Sequence, residues 1–220
     1  MSAISLTLTG IDKSFNRRAI FGDVSFRLEH AQSLTITGRN GSGKSTLLKI
    51  VAGILSPSNG KVEIKDGGEA IPVADHYSRI GFVAPYLQLY DEFTALENLE
   101  FIQKIRLVRS SRTELSTLLD RVGLSRRGDD LLRTYSSGMK QRVKYAAAIA
   151  HHPPILLLDE PTANLDAEGK AIVHEIMKEQ QKEGILVIAT NEAEEIVLCN
   201  DVLTLGVSGA MGAQPVRGGS

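Results

Sequence analysis

The 220 residues are enough to bury a full core, as one domain or as one domain with an inserted subdomain. With 25 basic and 26 acidic side chains the formal net charge is −1, which gives no general reason to bind a polyanion, nucleic acid included. A single cysteine, Cys199, excludes an internal disulfide framework and fits a reducing cytoplasm, and no apolar run approaches the ~18–20 residues of a membrane span.

The opening Met-Ser-Ala-Ile-Ser-Leu-Thr shows no basic-then-apolar leader. Ser5–Thr9 and Val24–Leu28 alternate apolar with polar, as half-buried antiparallel strands do, with a polar turn region over Lys13–Arg18 between them. Leu34–Thr37 reads as a buried strand and runs into Gly38-Arg39-Asn40-Gly41-Ser42-Gly43-Lys44-Ser45-Thr46, which fits the phosphate-loop pattern G-x-x-x-x-G-K-[ST]. Ser45–Ala52 then reads as a helix that Gly53 ends. Glycines at 38, 41 and 43 let the backbone curl so that its N–H groups, with the positive end of the helix, face an anion. Lys44 supplies a point charge for β/γ-phosphates and the Ser45 hydroxyl a ligand for Mg²⁺. This loop binds a nucleoside triphosphate.

Further on, Gly60–Ile64 is another alternating strand and Ser78–Val83 a strand returning to the core sheet. From 85 to 140 the pattern turns helical: Thr94 and Glu97 form a capping box ahead of Leu96, Leu99 and Ile102, and Leu115, Leu118, Leu119 and Val122 make an apolar stripe. Met139–His151 is an Ala-rich helix stopped by Pro153-Pro154. Ile155–Leu158, Ile185–Ala189 and Val202–Leu205 are strands, with a helix over Ala167–Lys182. The expected fold is α/β: a phosphate-loop NTPase core of 1–84 and 141–205 carrying an antiparallel β subdomain, an inserted helical subdomain at 85–140, and a loosely held tail at 206–220. Asp159 and Glu160 end a buried strand, where open α/β sheets bind ligands. Asp159 is assigned to Mg²⁺ and Glu160 to orienting or deprotonating the attacking water. His30, His76 and His174 read as lone surface residues, and His151-His152 as a helix C-terminus rather than a metal site.

The order of these motifs resembles that of ATP-binding cassette ATPases from about Leu6 to Leu205. Tyr135-Ser136-Ser137-Gly138-Met139-Lys140-Gln141-Arg142 is similar to the family's signature, usually L-S-G-G-Q. Leu158–Thr162 resembles its second acidic motif, and Ala163–Asp166 the loop that follows. The resemblance implies ATP with Mg²⁺ as cofactors and Phe15 stacking on adenine, unless Phe15 is an edge-strand residue. It also implies a head-to-tail pair in which Ser136, Ser137 and Gly138 of one copy roof the γ-phosphate of the nucleotide in the other, where Asn40, Lys44 and Thr46 are among the nucleotide-binding residues. Serine at 137 replaces a glycine and is acceptable where φ is negative. Asp166 would face the partner copy, caps the helix after it, or does both.

Two positions depart from the family. Pro85 stands where a glutamine usually reports Mg²⁺ and the γ-phosphate; Gln88 either replaces it by a folded-back loop or is a solvated loop residue. Asn191 stands where a histidine usually contacts the γ-phosphate, which implies slow basal hydrolysis. The resemblance implies the energy subunit of a transporter, peripheral on the inner face of the cell membrane, with a separate membrane-spanning partner docking on Tyr86–Phe93 through exposed Leu87, Leu89, Tyr90 and Phe93. The wording of the signature is similar to that of exporter subunits, haem exporters of cytochrome c maturation among them. The other reading is a non-transport ATP-gated clamp or assembly factor.

Overall fold

A computed structural model describes residues 4–206, 211–212 and 214–215. The chain begins with a hairpin, β1 (Ser5–Phe15) and β2 (Arg18–Glu29), turned at Asn16 and Arg17, both at positive φ. Both strands are longer than the alternation suggests. Register shifts after Leu8 and Ile11, with Gly10 at φ 55°, slip the pattern out of period two, so a bulge hides the strand that ends at Phe15. β4 (Asn59–Asp66) pairs antiparallel with β1, and β5 (Glu69–Ile71) with β4.

The second sheet is the core. Its strands β3 (Ser33–Gly38), β6 (Ile80–Val83), β7 (Ile155–Asp159), β8 (Ile185–Ala189) and β9 (Asp201–Leu205) pair in parallel in the order β9-β3-β8-β7-β6. β7 and β8 are buried at every residue because both faces are covered. Ile155 and Leu157 face one core with Leu6, Leu8 and the helix α1 (Lys44–Val51). Leu156 and Leu158 face the other, with the helical block. At ~1.5–3 kcal/mol per buried aliphatic side chain, each such strand stabilises both layers at once.

The helical block comprises α2 (Ala95–Ile105), α3 (Arg112–Arg121) and α4 (Ser137–Ile149). The Thr94–Glu97 capping box forms with bonds of 3.1 and 2.7 Å, and Ser111 with Glu114 builds a second one on α3. α5 (Ala167–Glu183) follows β7, and the short α6 (Ala193–Ile196) follows β8. Within the expected loose tail, β10 (Met211–Gly212) pairs with β2 and β11 (Gln214–Pro215) with β9. Its other residues beyond 206 lie outside the described ones. Among the described residues no helix is long and apolar enough to cross a membrane.

One expectation fails in the core. His76 is not a surface residue: it is 1% exposed in a 3₁₀ turn at Val73–Ser78, its Nε2 lies 3.2 Å from Ile71 O, and burial lowers its pKa. A histidine is amphipathic, and the turn hides it under β5 in a way that no periodicity signals.

Candidate active site

Strand order places the chemistry. β8 lies between β3 and β7, so Thr190 and Asn191 leave the sheet between the loop that follows β3 and the acids that end β7. Neighbouring strands are ~4.8 Å apart, so the loop and the acids face each other across ~10 Å. That is the crevice at the carboxyl ends of a parallel sheet.

The loop from Gly38 is held tightly. Gly43 caps α1 at φ 101° with no side-chain bond, and a Cβ there would lie 2.6 Å from a Phe21 ring carbon. Only glycine gives both that backbone and that approach. The first N–H groups of α1 are left to face whatever sits in the loop. Lys44 is 7% exposed, and its Nζ donates to Gly38 O at 2.9 Å. Ser42 Oγ is buried without a partner. Ser45 and Thr46 follow in the first turn, half-buried, and Asn40 is exposed at the rim.

Asp159 is 2% exposed, and its Oδ1 is buried with no partner. Burial pushes its carboxyl above the ordinary aspartate range, against a Ser45 hydrogen bond and the charges of Lys44 and Lys49. Glu160 is raised by burial too; Lys44 opposes this, while Asp159, Glu195 and Glu192 add to it. A carboxylate oxygen that lacks a donor beside a serine hydroxyl and a lysine fits a hard divalent cation. Asn191 Oδ1 accepts from Thr37 Oγ1 at 3.2 Å and Gly38 N at 3.3 Å, and its Nδ2 donates to Asn40 Oδ1 at 3.4 Å. The fold therefore gathers the loop 38–46, Asp159, Glu160 and Asn191.

Other expected residues sit elsewhere. Phe15, 46% exposed, ends β1 with Lys13 Nζ 4.7 Å from its ring centroid, leaving ring surface open. Ser136 caps α4 by accepting from Met139 N, and Ser137 is that helix's first residue, so its backbone is helical and its extra hydroxymethyl unstrained. An added Cβ on Gly138 would meet Asn164 O at 3.4 Å, which sets this segment beside its own chain's 163–166 loop rather than the phosphate loop. Asp166 caps α5 by accepting from Gly169 N at 2.8 Å.

Gln88 is exposed and lines a cavity of about 360 Å³ with Ser137, Lys140 and Lys144. Tyr86 is the residue of its segment that stands near the acids: Lys49 Nζ lies 4.0 Å from its ring centroid, and burial, with a smaller push from the Asp159 charge, raises its hydroxyl pKa. Leu87, Leu89 and Phe93 are half-buried rather than exposed, which leaves Tyr86 and Tyr90 as the aromatic surface there. Sequence reading placed Tyr86 only in the docking segment and gave Lys49 and the buried Glu195 no role near the acids, because no local pattern marks those contacts.

The family model described as ABC transporter matches residues 21–163. The chain belongs to the ABC transporter family. It is similar to the uncharacterized ABC transporter ATP-binding protein YybJ of Bacillus subtilis, 32% identical over 91% of this chain and 92% of that one. It is 32% identical to the linearmycin resistance ATP-binding protein LnrL of the same organism and 34% to an aliphatic sulfonates import ATP-binding protein, SsuB 1, of Burkholderia lata. Those matches cover 90% and 96% of this chain but only 65% and 64% of the relatives. Among solved structures, an ATP-binding subunit of an ABC transporter superposes with TM-score 0.79 at 26% identity, over 91% of this chain and 85% of the other. A dimeric post-hydrolysis cassette bound to ADP and Pi shares the fold at TM-score 0.82 and 24% identity, over 97% and 99%. This ABC chain is thus an ATP-binding, ATP-hydrolysing subunit of the family's α/β fold.

Proposed function

We propose that this ABC subunit hydrolyses ATP between two copies of itself and so drives a separate membrane-spanning polypeptide at the inner face of the cell membrane. The observation that carries this reading is the meeting of Asp159 and Glu160 with Lys44 at one crevice, with Asn191 bonded to the phosphate loop itself. In this reading the N–H groups of 38–46 and Lys44 grip the phosphates. Ser45 and Asp159 would hold Mg²⁺, which supplies charge neutralisation at the phosphates. Gln88 joins that set only if its segment folds back. Glu160 takes the proton of the attacking water. Phe15 stacks on the base through its open ring face. Ser136, Ser137 and Gly138 of the twin close the site from above, presenting the start of α4 to the anion, with Asp166 on the shared seam.

Asn191 donates a neutral hydrogen bond, about half as strong as a charge-assisted one. Asn191→His is therefore expected to raise basal turnover by up to about tenfold, while its ring nitrogen replaces Oδ1 as acceptor for Gly38 N. An unchanged or lower rate in a steady-state assay would place Asn191 away from the γ-phosphate.

The relatives carry both import and resistance names, so neither cargo nor direction is assigned. The proposed partner contact is Tyr86 and Tyr90, 42% and 54% exposed. Affinity purification from detergent-solubilised membranes should retain an integral membrane protein, and Tyr90→Glu should release it. Recovery of soluble partners alone would favour the clamp reading.

A further inference from the structure

The turn after Glu160 is gripped from two sides by buried groups. Tyr145 of α4, wholly buried, donates its hydroxyl to Pro161 O at 2.6 Å. Glu195 of α6, 2% exposed, accepts through Oε1 from Thr162 N at 3.1 Å and Thr162 Oγ1 at 2.7 Å. Its Oε2 is buried with no partner. A buried carboxylate left half-satisfied is costly, and an aliphatic side chain would fill the same space without that penalty. Core stability alone therefore gives no reason for an acid here; holding Thr162 does.

Thr162 lies between two residues in the left-handed region, Glu160 at φ 50° and Asn164 at φ 62°. Asparagine tolerates that region, but a glutamate there persists only where the surroundings over-determine it. Glu160 is tied by its N–H to Ala189 O at 2.9 Å and by its carbonyl to Ala163 N at 3.2 Å. The Thr162 bonds complete that set. We infer that Glu195 is a positioning residue which, with Tyr145, clamps the Pro161–Thr162 turn and so keeps Glu160 in the strained backbone geometry from which it works. The clamp also joins α6, two residues past Asn191, to α4, whose first turn is Ser137–Gly138. It rests on the reading of Glu160 as the base.

The test is turnover and nucleotide affinity of the full-length chain, with Mg-ATP for the first and equilibrium binding of a fluorescent ATP analogue for the second. A base displaced by ~1 Å loses ~10²-fold, so Glu195→Ala is expected to lower kcat at least tenfold with affinity kept within about threefold. Glu195→Gln, which retains an acceptor oxygen for Thr162, should return kcat to within about threefold of the parent. Since the alanine variant can fail to fold, Thr162→Val provides the second measurement: it keeps volume and backbone N–H, loses the hydroxyl, and should lower kcat about three- to tenfold at unchanged affinity. Unchanged kcat in Glu195→Ala, a loss that Glu195→Gln does not restore, or full activity in Thr162→Val would overturn the clamp. Variants that match the parent while Glu160→Gln is inactive sink the clamp alone; parental turnover in Glu160→Gln sinks the reading of Glu160 and the clamp's role with it.

Discussion

Glu160→Gln is expected to keep ATP affinity while losing about 10²–10⁴-fold in turnover. The side chain is half-buried, and burial with three neighbouring carboxylates raises its pKa above the ordinary glutamate range, which strengthens it as a base. Glutamine has the same shape and cannot take a proton. It also removes one of several like charges, so the nucleotide-free fold should be no less stable. With hydrolysis blocked, the closed state has no exit, and two copies held over two ATP molecules should accumulate as a dimer. Light scattering with saturating Mg-ATP would show the mass double. A variant that stays monomeric removes the paired mechanism; one that hydrolyses at the parental rate removes Glu160 as base. The acid limb of kcat/KM, which reports the free enzyme's base, should vanish in the same variant.

What could be read in advance was whatever chemistry is local along the chain. The phosphate loop is legible because glycine, lysine and serine each act within nine consecutive residues, and Asp159-Glu160 because a wholly apolar strand announces where it ends. Capping at Thr94 is equally local, since both partners lie within one turn. Contacts made across the fold left no such trace. Glu195 meets Thr162 from 33 residues away, and nothing in Glu192-Ala193-Glu194-Glu195 marks which acid points inward. The bulge near Gly10 broke the alternation that would have extended β1 to Phe15. Leu89 belongs to a mainly loop-like stretch, yet packs on the core of the helical block. Each miss is a case of tertiary packing overriding a local period.

Lys44→Met separates what the lysine does for the ligand from what it does for the fold. In the free chain Lys44 is buried, and its ammonium donates to Gly38 O. Methionine keeps the stem length and removes the charge. A charge-assisted bond to phosphate is worth ~1.5–3 kcal/mol, so ATP affinity should fall roughly 10–150-fold, with a further loss in turnover. Removing one charge from a buried cluster leaves its partners uncompensated, a cost that is smallest where Asp159 and Glu160 are protonated, so the nucleotide-free Tm should lie nearest the parent's in the acidic range. The sign of its pH dependence follows from the acids. Asp159 and Glu160 are already raised, and Lys44 is among the groups holding them down. Without it both rise further. A carboxyl raised on folding favours the folded state at low pH and penalises it once pH has passed the folded value. The Tm of Lys44→Met relative to the parent should therefore become more negative from the ordinary carboxylate range toward neutrality. A pH-independent difference would mean that Lys44 and the two acids do not share one crevice, and unchanged ATP affinity would mean that the loop grips its ligand without it.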